Sequence, residues 1–208
     1  YKALEKQSPS TNNKIVMGPW FHGSWDERVD GSQLGNVQFG SSTSTWYQDN
    51  VQLPFFNYHL KGIGDKDPVE EATIFFTGEN QWKTFSEWPP KKIKSQNYFL
   101  SEDNKITTVV TQKVKQKFSS YSSDPAHPVP HREDVGDDRT IEYMCDDQRF
   151  ASRRPDVLTF RSAPMENSLT LAGPIEVDLD VSISTTDADF IVKLIDQFPL
   201  DFSYHNDN

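Results

Sequence analysis

From about residue 69 to residue 196 the apolar residues of this chain tend to recur at every second position, and no other feature of the sequence restricts its backbone as much. The clearest run is residues 175–184, where Val177, Leu179, Val181 and Ile183 alternate with Asp178 and Asp180, giving a strand with one dry and one wet face. The same reading predicts strands at residues 72–77, 96–100, 140–144, 157–161, 168–172 and 189–196. Proline and glycine punctuate these runs, and 13 prolines with 12% aromatic residues suit defined turns between strands. A mainly β fold is expected, in the form of an all-β sandwich.

The first third of the chain reads differently. Residues 1–13 are polar and read as a helix end or linker, leading into a short buried strand at 14–17 that Gly18-Pro19 stops. Residues 26–45 lack periodicity and read as one long loop, a length that in compact domains accompanies function more often than not. Residues 44–61 place Trp46, Tyr47, Val51, Leu53, Phe55, Phe56 and Leu60 close to helical spacing, with Gly62 as C-cap. Pro54 should kink or restart that helix, because it lacks the N–H that would bond to the preceding turn. The chain therefore divides near residue 65 into a strand–loop–helix part, residues 1–65, and a β-sandwich, residues 66–208, with residues 62–68 as hinge.

Charge and cysteine usage narrow the partners. With 31 acidic against 21 basic residues the formal charge is −10, so the cationic surface that nucleic acid or an anionic membrane requires is missing. A single cysteine, Cys145, excludes an intrachain disulfide and a thiolate metal cluster. No apolar run approaches the roughly 18 residues of a membrane span. The chain opens on Tyr1 rather than Met and has no signal-peptide pattern, so a fragment or a processed product is expected.

One stretch carries candidate chemistry. In "GPWFHGSW", residues 18–25, His22 stands between Trp20 and Trp25 directly after the strand at 14–17. A general base that accepts a nucleophile's proton and returns it to a leaving group belongs on such a loop, just beyond a sheet strand and held by packing. Gly18, Pro19 and Gly23 would shape the turn, and Trp20 and Trp25 would shield the imidazole and line the pocket. The competing reading is an ordinary loop histidine hydrogen-bonded to backbone. Elsewhere, Asp147, Arg149, Arg153, Arg154 and Asp156 read as an ion-pair network rather than a substrate site. The pairs Asp187/Asp189 and Asp137/Asp138 offer too few oxygens for calcium, His127 and His131 lack ligand partners at a metal spacing, and neither metal nor cofactor is expected. Trp82 and Trp88 could stack on a sugar, although Trp88 before Pro89-Pro90 reads as a packing corner.

Several stretches together resemble one family of serine hydrolases, that of cocaine esterase, α-amino acid ester hydrolases, glutaryl-7-aminocephalosporanic acid acylase and X-Pro dipeptidyl-peptidases. They are "GPWFHG" (18–23), "LPFFNYHLKG" (53–62), "IFFTGENQWKTFSEWPP" (74–90), "SDPAHPVPHR" (123–132), "DQRFASRRPDVLTF" (147–160) and "DADFIVKLID" (187–196). The resemblance implies the C-terminal strand–loop–helix tail of an α/β-hydrolase domain, followed by a jelly-roll, galactose-binding-like β-sandwich that walls the active site. It makes His22 the triad histidine, and it implies small ester, amide or peptide substrates. The nucleophilic serine and triad acid would lie upstream: only 21 residues precede His22, and neither Ser8 nor Ser10 stands in a G-x-S-x-G elbow. Alone, this chain is expected to be catalytically silent, with an incomplete sandwich at its far end. Two other readings stand beside it: a non-catalytic β-sandwich that binds carbohydrate or protein, and an architectural domain that forms a homo-oligomer through edge strands.

Overall fold

The computed structural model describes residues 1–26, 29–110, 118–134, 136–137 and 140–202. Helix α1 (Lys2–Gln7) leads to strand β1 (Ile15–Met17), and a small hairpin, β2 (Gln33–Leu34) and β3 (Val37–Gln38), interrupts the stretch expected to be one long loop. Helix α2 (Thr43–Tyr47) then runs without a break through a π-helical turn, Gln48–Gln52, into α3 (Leu53–Lys61). Of the kink or restart expected at Pro54, the structure shows the restart: a wider π turn lies just before it and the proline sits in the first turn of α3, where a missing N–H costs little. Gly62 ends α3 at φ +65°, its N–H bonding to Tyr58 O at 3.1 Å while that of Ile63 bonds to Asn57 O at 3.1 Å. The bond from the left-handed residue to the carbonyl four positions back is the αL form of helix C-cap.

β4 (Ala72–Phe76) and β5 (Gln81–Phe85) form an antiparallel hairpin, and β4 also pairs in parallel with β1, Ile15 facing Ala72 and Met17 facing Ile74. Parallel neighbours need a long crossover, which the hairpin and helices between residues 18 and 71 supply. One sheet, ordered β1-β4-β5, therefore joins chain from both sides of residue 65. Its middle strand reads "ATIFF" because both faces are covered. On one face Ala72 and Ile74 pack with Trp88, Tyr1, Ile15, Phe76, Phe85 and Ala172. On the other, Phe75 meets Phe39 at 5.6 Å and Trp82 at 5.3 Å between ring centroids.

The rest of the expected sandwich is only partly formed. Residues 96–100 give β6 (Phe99–Ser101), which pairs with β7 (Lys105–Thr107) through a turn that holds Asp103 and Asn104 at positive φ. From the run at 157–161 only Arg161 joins the ladder, bonding to Ile106 and Asn104. Residues 140–144 are not a strand: Glu142–Met144 is a 3₁₀ turn. Residues 168–172, 175–184 and 189–196 carry no ladder pairing in the structure. Alternation reports which way side chains point along an extended backbone, whereas a strand exists only where a neighbour takes its hydrogen bonds. Val177, Leu179, Val181, Phe190 and Val192 do share one side, and they line a groove of about 450 Å³. The architecture is strand-based with short helices, and among the described residues no helix is long and apolar enough to cross a membrane.

Candidate functional site

β1 delivers the chain to a tight turn. Beyond Met17, a Cβ on Gly18 would lie 2.5 Å from the Trp20 indole, so only glycine lets that ring fold back over the strand end. The turn closes with Ser24 N–H bonding to Phe21 O at 3.1 Å and Asp26 N–H bonding to Gly23 O at 3.3 Å. His22 sits at its tip, exposed, with the Trp25 ring edge-on at 5.5 Å. Trp20 is turned toward the body of the protein. Its Nε1–H donates to Thr43 Oγ1 at 2.9 Å, and its ring meets Tyr47 at 5.1 Å, Trp82 at 5.6 Å and Trp25 at 6.5 Å.

A cleft of about 230 Å³ opens beside the imidazole, lined by Phe21, His22, Thr140, Ile141 and Tyr143. The segment read from the sequence as a strand thus contributes a turn that faces His22. Among the described residues, the ring contact of His22 is the one with Trp25, and the imidazole opens onto the cleft. Phe21, Thr140, Ile141 and Tyr143 were not picked out from the sequence. Ile141 and Tyr143 are spaced by two, so the alternation concealed them, and their distance from His22 along the chain leaves no local signal.

A second cluster of titratable groups lies at the far end of α3. Asp67 receives Asn12 Nδ2 at 2.8 Å and the Val69 N–H at 3.0 Å, with Lys14 Nζ at 3.1 Å and His59 Nε2 at 3.3 Å. Burial works against its charge, but the bonds from Asn12, the Val69 N–H and Lys14, with the Lys14 charge, outweigh it and hold the carboxyl well below the usual carboxylate range. Tyr1 shows the reverse: burial, reinforced by its bond to Glu71, pushes the phenol far above its ordinary value.

The charged stretch at 147–156 is a set of local ion pairs. Arg149 Nε donates to Asp147 at 2.6 Å, and Arg154 grips Asp156 with two bonds of 2.8 and 2.6 Å while reaching His127 O at 3.0 Å. Hydrogen bonds from these arginines lower both carboxyl pKa values, as the His127 ring does for Asp124. Arg153 is exposed, and His131 meets the Tyr143 ring at 6.3 Å. Trp82 stacks on Trp46 at 4.6 Å and 13°, and Trp88 is buried against Phe85, so both rings are engaged in packing rather than offered to a sugar. Asp187 accepts the N–H of Ala188, Asp138 lies outside the described residues, and among those described no three His, Cys, Asp or Glu side chains converge as metal ligands.

The order along the chain is strand, histidine turn, helix, return to the same sheet and then a strand-built region. Residues 62–202 match the family described as the X-Pro dipeptidyl-peptidase C-terminal non-catalytic domain, and the chain belongs to that family. His22 precedes the matched residues. The chain is 26% identical to cocaine esterase from Rhodococcus sp. (strain MB1 Bresler), over 89% of its own length and 33% of the relative's. Among solved structures it resembles a selenomethionine-labelled α-amino acid ester hydrolase, with TM-score 0.71 and 34% identity, covering 83% of this chain and 30% of that one. It also resembles an aminopeptidase from a marine sediment Thaumarchaeota archaeon, with TM-score 0.66 and 33% identity, covering 79% and 27%. The chain thus spans about a third or less of the length of the relatives it matches.

Proposed function

We propose that this chain serves a serine hydrolase that cleaves esters or amides through an acyl-enzyme, with His22 as its general base and general acid and with the serine and triad acid supplied from outside residues 1–208. The observation that carries the reading is the position of His22: at the tip of a turn that leaves a sheet strand, facing a cleft whose other wall comes from residues 140–143.

In the acylation step the serine oxygen attacks the carbonyl carbon and His22 takes the hydroxyl proton. As the tetrahedral adduct collapses, His22 gives that proton to the leaving alcohol or amine. Water then attacks the acyl-serine, His22 removes its proton, and the same proton returns to the serine oxygen as the acid departs. Trp25 packs against one side of the ring. Phe21, Ile141 and Tyr143 favour an apolar or aromatic group on the substrate, within a class of α-amino acid esters, β-lactam side-chain amides or X-Pro peptides. The alternation at 168–196 supports reading residues 66–208 as a jelly-roll, galactose-binding-like sandwich, with Val177, Leu179 and Val181 on the side that packing against further strands would cover.

The test is hydrolysis of p-nitrophenyl acetate by the full-length protein. His22→Ala is expected to lower kcat by about 10⁴-fold or more, as loss of a triad member does. Unchanged turnover in a folded variant would refute the assignment.

A further inference from the structure

Thr43 and Ser44, side by side in the first turn of α2, are completely enclosed, at 0% exposure. In a helix that starts Ser-Thr-Ser such hydroxyls ordinarily cap their own backbone. Here no side chain caps α2, and the two hydroxyls turn instead to the loop that carries His22. Thr43 Oγ1 accepts the Trp20 indole N–H at 2.9 Å and donates to Gly31 O at 2.6 Å. Ser44 Oγ donates to Ser24 O, and the Ser44 backbone N–H donates to Asp30 O at 2.9 Å. Trp20 and Ser24 stand two residues before and two after His22. Gly31 comes so close, at φ +70°, that a Cβ there would lie 2.2 Å from Ser44 Oγ and 2.6 Å from Thr43 Oγ1. Buried hydroxyls are costly unless bonded, so the loop can take up few positions other than the one that satisfies both.

We propose that Thr43 and Ser44 are positioning residues for His22, a buried clasp that fixes the imidazole within the cleft by holding the backbone on either side of it. The inference rests on His22 being the acid–base group. In the full-length enzyme, kcat for p-nitrophenyl acetate, counted per site titrated with a serine-directed fluorophosphonate, is expected to fall about 10- to 100-fold in Thr43→Val and in Ser44→Ala, the loss that a small misplacement of a catalytic group produces. KM should change little, the acid limb of the pH–rate profile should shift, and Thr43→Ser, which keeps the hydroxyl, should recover most of kcat. If Thr43→Val does not fold, Ser44→Ala decides the matter, with Trp20→Phe, which removes the donor to Thr43 together with part of the indole, as a second variant. Wild-type kcat per titrated site and an unmoved pH profile in those variants, beside an inactive His22→Ala, would overturn the clasp alone. An active His22→Ala would instead overturn the reading on which it rests.

Discussion

Asp67 draws together three separate parts of the chain: Asn12 and Lys14 before β1, the His59 ring on α3, and the Val69 N–H ahead of β4. Because its folded pKa is depressed, its contribution to stability is complete above the unfolded value, near 4, and is lost as the pH falls from there toward the folded value. Asp67→Asn should therefore lower the melting temperature clearly at pH 7, and the gap from wild type should narrow as the pH falls from about 4 to 3. A gap of constant width would mean that the carboxylate charge is not what binds these segments together. Single residues were legible in the sequence where one position has one physical solution. Gly62 is such a case, since a left-handed helix end almost demands glycine, and Gly18 beside Trp20 is another. The Thr43–Ser44 clasp was not, because its partners lie 12 and 20 residues away and nothing in "STS" separates a helix cap from a long-range contact.

At the scale of elements, β4 and the runs beyond residue 162 have similar sequence character and different fates. β4 is paired on both edges, with β1 and with β5, and covered on both faces. Residues 175–184 have the more regular alternation of the two, yet Ile175 and Val181 are 67% and 56% exposed and no ladder forms there. Pattern fixes the face and not the neighbour, and so the hairpin at 72–85 was predictable in part while the pairing beyond residue 162 was not. The turn at 142–144 is the opposite failure, a two-residue spacing that belongs to a 3₁₀ turn. Amide hydrogen exchange of the chain should therefore show strong protection at Thr73–Phe75 and almost none at 175–196. Equal protection of the two regions would show that strands form there.

Across the whole molecule the same deficit becomes an area. A compact protein of 23.9 kDa exposes about 9,900 Å², whereas this chain exposes 17112 Å². Much of the excess is apolar, including Leu169, Leu171, Ile191, Val192 and Leu194, each more than half exposed. Apolar surface exposed on that scale seeks cover. The chain on its own is expected to bind an apolar dye and to grow in scattering mass as concentration rises; a monodisperse 23.9 kDa species that ignores the dye would contradict this surface.

The proposed role of His22 is to take the proton of a nucleophilic serine. The most direct measurement is the rate at which a fluorophosphonate labels the full-length protein, wild type against His22→Ala, with circular dichroism confirming that both are folded. The account predicts rapid labelling of one serine in the wild type and labelling slower by orders of magnitude in the variant, because the serine then lacks the base that takes its proton. Equal labelling rates would show that the nucleophile draws on another base, and that His22 is a loop histidine beside a cleft.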